Sequence, residues 1–233
     1  MKVAAFDEPL EDHLAEVGRC SEALARRLRL GLDREAWLAG VLHDLGKALS
    51  PYQPLLREKG MAPGHEVYSA LVISLLPDGV FEGYVLGPAE LRAVVTYVAL
   101  MHHQAIAELP ERISTALNFV RDKLGGWVRD ADSEYLASLL ESLLGSERVR
   151  GAVEQAVEVI VMSVNKGDPR AINENVSSAV RLLSDSKLLY KARLLTGVVM
   201  MSDTYVAMRR RRGKPLGVYR TEIVRLFEHF DPV

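Results

Sequence analysis

Five of the six histidines fall into one ordered pattern: His13, then His43-Asp44, then His65, then His102-His103, with Asp203 toward the far end. Imidazole nitrogens and carboxylate oxygens are the donors that bind borderline divalent cations. Seven such groups, dispersed along a chain whose helices can bring them together, point to more than one metal ion. No single pair carries that conclusion. A His-Asp dipeptide is common, and one histidine on an apolar face is usually a core residue with both nitrogens satisfied.

The positions around each group sharpen the reading. His13 lies four residues before Val17 and eleven before Leu24, so it shares the buried stripe of its helix. A buried ring needs a partner for each nitrogen, and a backbone carbonyl can supply one. Asp203 follows Leu195 and Val199 by eight and four residues and precedes Val206 by three. An unpaired carboxylate on such an apolar face is costly, and a cation or a buried arginine would relieve it. Adjacent helical residues point about 100° apart, so His43 and Asp44 cannot serve one ion identically. The pairing makes sense if Asp44 bridges two ions while His43 serves one, and the same logic applies to His102 and His103. A one-ion site using His43, Asp44 and Asp203 is the alternative. Two neighbouring cations can hold a phosphate oxygen and a hydroxide together, which is the chemistry of phosphodiester hydrolysis.

Helices must position these groups. Leu14, Val17, Ser21, Leu24 and Leu28 recur at three- and four-residue steps, the stripe of an amphipathic helix. Asp33 is the expected N-cap of a second helix carrying Trp37, Leu38, Val41 and Leu45. Gly64 precedes a third, which Pro77-Asp78-Gly79 ends. Pro88 suits the first turn of a helix reaching about His103. Asp132, Ser146 and Asp168-Pro169 read as further starts, and Gly125-Gly126, Gly145 and Gly167 as stops. A long helix over about Ser186–Met208 and a last one over about Gly217–Phe230 complete the chain. No convincing strand alternation appears, although Val159–Val164 could pass for one. The expectation is an all-α fold in a single domain spanning residues 1–233.

Composition is that of an ordinary globular protein: 48% hydrophobic, 26% charged, net charge −2. Contacts to a polyanion must therefore come from local patches. Cys20 is the only cysteine, which excludes an internal disulfide and cysteine-rich zinc sites and fits a reducing compartment. The N-terminus turns acidic too soon for a secretory signal, and no apolar run approaches the ~20 residues that span a bilayer. A cytoplasmic protein without membrane contact is expected.

The segment Val41-Leu42-His43-Asp44-Leu45-Gly46-Lys47 resembles the defining motif of the HD superfamily of metal-dependent phosphohydrolases. The family order H…HD…H…HH…D has a counterpart for every element between residues 13 and 203. Within the superfamily, His-Asp-Leu-Gly-Lys followed by Ser50-Pro51-Tyr52-Gln53 is similar to the signature of the CRISPR-associated HD nucleases of type I interference. Gly64-His65-Glu66-Val67-Tyr68-Ser69-Ala70 looks like their next block. Gln104 departs from the glycine often found there after the paired histidines. The resemblance implies an all-α HD-domain bundle with two divalent ions. One would take His13, His43, Asp44 and Asp203, and the other Asp44, His65, His102 and His103. Manganese is favoured; nickel, cobalt and iron also tolerate these donors, and magnesium suits so many imidazoles least. Asp44 and Lys47 would be catalytic, with Lys47 assisting at the phosphate. Ser69 would bond the phosphate or support a ligand.

From Lys187 to Arg220 there are nine basic residues against one acid, Asp203. The run Arg209, Arg210, Arg211 and Arg212 begins six residues after that aspartate, flanked by Tyr205 and Tyr219 for base stacking. Cations near a phosphate site attract polyanions by counterion release; a solvated helix end is the plainer reading. The chain has no GxxxxGK[ST] loop. A nuclease on single-stranded DNA, or on RNA as well, would therefore need a separate helicase and the crRNA-guided surveillance complex as partners. The alternatives are an HD phosphohydrolase of nucleotides or cyclic dinucleotides, weakened for the latter by the lack of a Gly-Tyr-Pro block, and a non-catalytic docking module.

Overall fold

The computed structural model describes residues 1–103, 108–123, 129–210 and 218–228. Gln104, Gly125-Gly126, Arg211 and Arg212 lie outside them, as do both ends proposed for the last helix, Gly217 and Phe230. The fold is all-α, with a two-strand hairpin at the start. Strand β1 (Val3–Ala5) pairs antiparallel with β2 (Glu8–Pro9). The hairpin was not expected, since three- and two-residue strands are too short to show alternation.

Eleven α-helices follow among the described residues: α1 (Leu10–Arg27), α2 (Asp33–Leu42), α3 (Gln53–Lys59), α4 (His65–Leu75), α5 (Pro88–Met101), α6 (Leu109–Arg121), α7 (Arg129–Leu144), α8 (Arg150–Lys166), α9 (Arg170–Val180), α10 (Ser186–Arg210) and α11 (Val218–Glu228). Val159–Val164 is part of α8. Pro88 opens α5 as its first residue, where a missing amide costs nothing. Asp132 sits inside the first turn of α7 rather than at its cap.

Asp33 is the first residue of α2, whose cap position is Leu32, with no side-chain cap. The helix also stops at Leu42, three residues earlier than its apolar pattern predicts. Leu45–Ala48 forms a 3₁₀ turn and Ser50–Tyr52 another, so the His-Asp pair stands at a helix end. There His43 keeps helical angles while Asp44 turns to φ −115° and ψ 18°. The short helix α3, absent from the sequence reading, follows directly.

Five helices enclose the site. α1 packs against α2 and α10, α4 against α5, and α10 also against α5. The α1–α2 crossing is close because glycines meet there. A Cβ on Gly40 would stand 2.9 Å from the Gly18 Cα, and one on Gly18 only 2.6 Å from the Val41 side chain. This proximity sets the His13 and His43 ring centroids 5.6 Å apart. Leu14, Val17 and Leu24 are fully buried on the face that also carries His13, each contributing about 1.5–3 kcal/mol by leaving water. No helix among the described residues is long and apolar enough to cross a membrane.

Candidate metal centre

All seven predicted donors come together. His13 projects from α1, His43 and Asp44 from the end of α2, His65 from the start of α4, His102 and His103 from the end of α5, and Asp203 from the interior of α10. They form two groups that share Asp44: His13, His43, Asp44 and Asp203, and Asp44, His65, His102 and His103. Within each group the donor atoms lie within 4.8 Å of one another.

The hydrogen bonds behind the rings fix which nitrogen faces the centre. His43 Nδ1 lies 2.7 Å from the Gly40 carbonyl, His65 Nδ1 2.5 Å from that of Ala62, and His102 Nδ1 2.8 Å from that of Ala99. His13 Nδ1 lies 2.9 Å from Glu8 Oε1, a carboxylate where the sequence led us to expect a carbonyl. Each acceptor places the ring proton on Nδ1, so in the neutral ring Nε2 presents its lone pair inward.

Those lone pairs meet carboxylate oxygens. Asp44 Oδ1 is 2.8 Å from His65 Nε2 and 3.2 Å from His102 Nε2. Asp44 Oδ2 is 3.2 Å from His43 Nε2 and 3.5 Å from His13 Nε2, and Asp203 Oδ1 is 3.3 Å from His13 Nε2. His103 Nε2 stands 3.3 Å from His65 Nε2. The buried Nε2 atoms of His13, His43 and His102 have no hydrogen-bond partner. Acceptors facing acceptors at such distances repel unless positive charge lies between them. Donors at right angles on a cation with bonds of about 2.1 Å are themselves roughly 3 Å apart. The donor set therefore fits divalent metal, by its chemistry and by its orphaned nitrogens.

Electrostatics agrees. His43 and Asp44 are 0% exposed. Burial alone would raise the Asp44 pKa, but His43, Lys47 and His65 together hold it well below the usual carboxylate range. Asp203 is likewise driven down by His13 and His43 against its own desolvation. Burial lowers the His43 pKa, keeping that ring neutral and able to donate its lone pair. At His13 burial also acts downward, but Asp203, Asp44 and Glu8 outweigh it and the pKa is raised well above the ordinary histidine value. Protons and cations thus compete most directly at His13.

Lys47 Nζ lies 2.5 Å from Asp44 Oδ2. It reaches there from the 3₁₀ turn that follows α2. Burial opposes its charge, yet Asp44 and Asp203 raise its pKa, so it stays an ammonium. Lys47 at 13% and Asp203 at 19% side-chain exposure, together with the exposed His103, form the solvent-facing side of the centre.

Ser69 is buried. Its hydroxyl accepts from the Gly46 amide at 2.9 Å and donates to the His65 carbonyl at 3.1 Å. It joins the 3₁₀ turn to α4 behind two donors. Gln53 has a similar role: its amide oxygen accepts from the Val3 amide at 2.8 Å, and its nitrogen donates to the Lys47 and Val3 carbonyls. Three further residues support the site in ways the sequence did not mark. Glu8 supports His13 from β2. Arg112 of α6 donates to the Leu100 carbonyl at 2.5 Å and pairs with Glu66 at 3.2 Å, tying the end of α5 to the start of α4. Asp132 of α7 accepts from the Ser50 amide, the Ser50 hydroxyl and Lys2. No spacing signal marks any of them, because each contact joins separate elements, even where, as for Glu8 and His13, the residues are only five apart in sequence.

Of the basic run, Arg209 is exposed, pairs with Glu16 of α1 at 3.1 Å and lies over the Tyr205 ring. Glu16 is one helical turn beyond His13. The Tyr205 ring is stacked on Phe227 at 4.3 Å and buried, so it is not open to a base as expected. The side chains of Arg210 and Tyr219, like Arg211 and Arg212, lie outside the described structure.

Residues 10–189 match the HD domain family. That is well over half the chain, and the protein belongs to this family, among the metal-dependent HD hydrolases. Asp203 lies beyond the matched stretch and joins the centre through the packing of α10. Among solved structures the chain is similar to the CRISPR-associated Cas3 HD domain protein of Methanocaldococcus jannaschii. The identity is 19%, over 77% of this chain and 98% of that one, with a TM-score of 0.41. No curated protein matches.

Proposed function

We propose that the protein is a divalent-metal-dependent nuclease that hydrolyses phosphodiester bonds of single-stranded DNA in type I CRISPR interference, working with a separate helicase and the crRNA-guided complex. One observation carries the hydrolytic part: five imidazoles and the carboxylates of Asp44 and Asp203 converge in two groups that share Asp44, with the donor atoms of each group within 4.8 Å of one another. The narrower assignment is supported by the motif His43-Asp44-Leu45-Gly46-Lys47 with Tyr52-Gln53, and by the basic run that follows Asp203. Cytoplasmic location and one domain over residues 1–233 go with this reading.

Two cations, when bound, supply Lewis-acid polarisation of the phosphate and a nucleophile from water near neutral pH; manganese is our choice. The chain's own groups do the rest. Asp44 belongs to both donor groups and is the residue we assign as shared. Lys47 offers an ammonium on the open side, able to neutralise a non-bridging phosphate oxygen as charge develops. Ser69 and Gln53 hold the 3₁₀ turn, and with it Lys47, in place from behind. Arg209–Arg212 would hold the polyanion.

Labelled single-stranded DNA, mononucleotides and cyclic dinucleotides offered side by side with Mn2+ test the reading. We expect cleavage of the DNA, its loss on adding EDTA, and little turnover of the small nucleotides. Efficient turnover of a mononucleotide or cyclic dinucleotide with DNA left intact would replace the nuclease by a nucleotide phosphohydrolase. No hydrolysis of any substrate would favour the docking module.

A second expectation concerns the basic run. Replacing Arg209, Arg210, Arg211 and Arg212 by glutamine should weaken single-stranded DNA binding and flatten its salt dependence. At a slope of about 0.7 per phosphate contact, the log–log slope should drop by up to roughly 3. Binding across a salt series that matches the parent would reduce the run to a solvated helix end.

A further inference from the structure

The four buried rings are not supported alike. His43, His65 and His102 each use a carbonyl three residues back in the chain, a local backbone contact. His13 instead uses Glu8, whose Oε1 is 2.9 Å from Nδ1. Glu8 sits in β2, and the hairpin is held from two sides. Gln53 bonds Val3 of β1, and the Phe6 amide donates to the Leu56 carbonyl at 2.8 Å.

The two donor groups differ in charge as well. The group with His13 has Asp44 and Asp203 as direct carboxylates and Glu8 behind the ring. The group with His65 has Asp44 and three imidazoles. Lys47 beside Asp44 Oδ2 acts against the first group, but one ammonium does not cancel both Asp203 and Glu8. A carboxylate acceptor also polarises the ring more than a carbonyl does and makes Nε2 the stronger donor.

We infer that Glu8 is a positioning residue that makes the His13, His43, Asp44 and Asp203 group the tighter cation site, so that the two sites fill in order and this one first. The inference rests on the two-cation reading above. Glu8 never contacts the ion; it acts through the His13 ring.

Calorimetric titration of the metal-free full chain with Mn2+ should resolve two steps. Glu8→Gln keeps an oxygen facing Nδ1 but removes the charge. It should raise the Kd of the tight step about 10–100-fold and leave the weak step within about a factor of two. Circular dichroism would confirm that the variant is folded. A measurement on the unaltered chain does not depend on that variant: one equivalent of Zn2+ should shift the imidazole 15N resonances of His13 and His43 before those of His65 and His103. Unchanged steps in Glu8→Gln, or His65 and His103 responding first, overturn the role of Glu8. A wild-type chain that binds one ion or none overturns the two-cation reading itself, and that result is recognised before any variant is made.

Discussion

Asp44→Asn should leave the helical fold in place and lower hydrolysis by at least roughly a thousandfold, the equivalent of about 4 kcal/mol of transition-state stabilisation. The reason is position. Asp44 alone appears in both donor groups, with Oδ1 toward His65 and His102 and Oδ2 toward His43, His13 and Lys47. The amide keeps the shape but removes the charge that offsets four surrounding rings and an ammonium. Metal content after Mn2+ reconstitution should fall below one ion per chain, against about two for the parent. Lys47→Ala should instead slow turnover while metal content stays near the parent value, since no imidazole depends on it. Wild-type activity in Asp44→Asn would mean that the chemistry happens elsewhere.

Gly46→Ala should be the most destabilising single methyl that can be added near the site. A Cβ there would stand 2.1 Å from the His65 carbonyl oxygen, 2.9 Å from its carbon and 3.1 Å from the Ser69 amide nitrogen. All three are backbone atoms at the start of α4 and cannot swing aside as a side-chain tip can. The φ of Gly46 is not positive, so steric contact, not backbone conformation, reserves the position for glycine. Overpacking of this kind costs about 3 kcal/mol or more. In a chain of this length that corresponds to a melting temperature lower by roughly 6–12 °C. Relief requires the turn and α4 to part, which draws His65 away from Asp44, so Mn2+ stoichiometry should also drop. A melting temperature within about 2 °C of the parent would show that the two segments are not in the contact described.

Both variants fall in a heptapeptide that stands out in the sequence, yet the sequence explains only one of them. The chemistry of His43 and Asp44 is legible because residue type alone limits what they can bind. The helices that carry His13, His102 and Asp203 are legible because apolar residues three and four apart define a buried face. Pro88 and Gly167 mark helix ends by the angles they favour. The early end of α2 is not legible. Leu45 continues the apolar pattern, and only the contact of Gly46 with α4 turns the chain there.

What the tertiary structure alone decides is the support behind each donor. Three rings rest on carbonyls three residues back in the chain, those of His43 and His102 within the helices that carry them and that of His65 in the turn before α4. Glu8, Ser69, Gln53, Arg112 and Asp132 act across gaps in sequence or between separate elements, where no periodicity links partner to partner. The same holds for Tyr205, which looks free to stack on a base until Phe227 of α11 covers it. Local patterns record which face of a helix is buried, because that choice repeats every turn. They carry no record of what lies opposite that face, because the partner is set by how the helices pack.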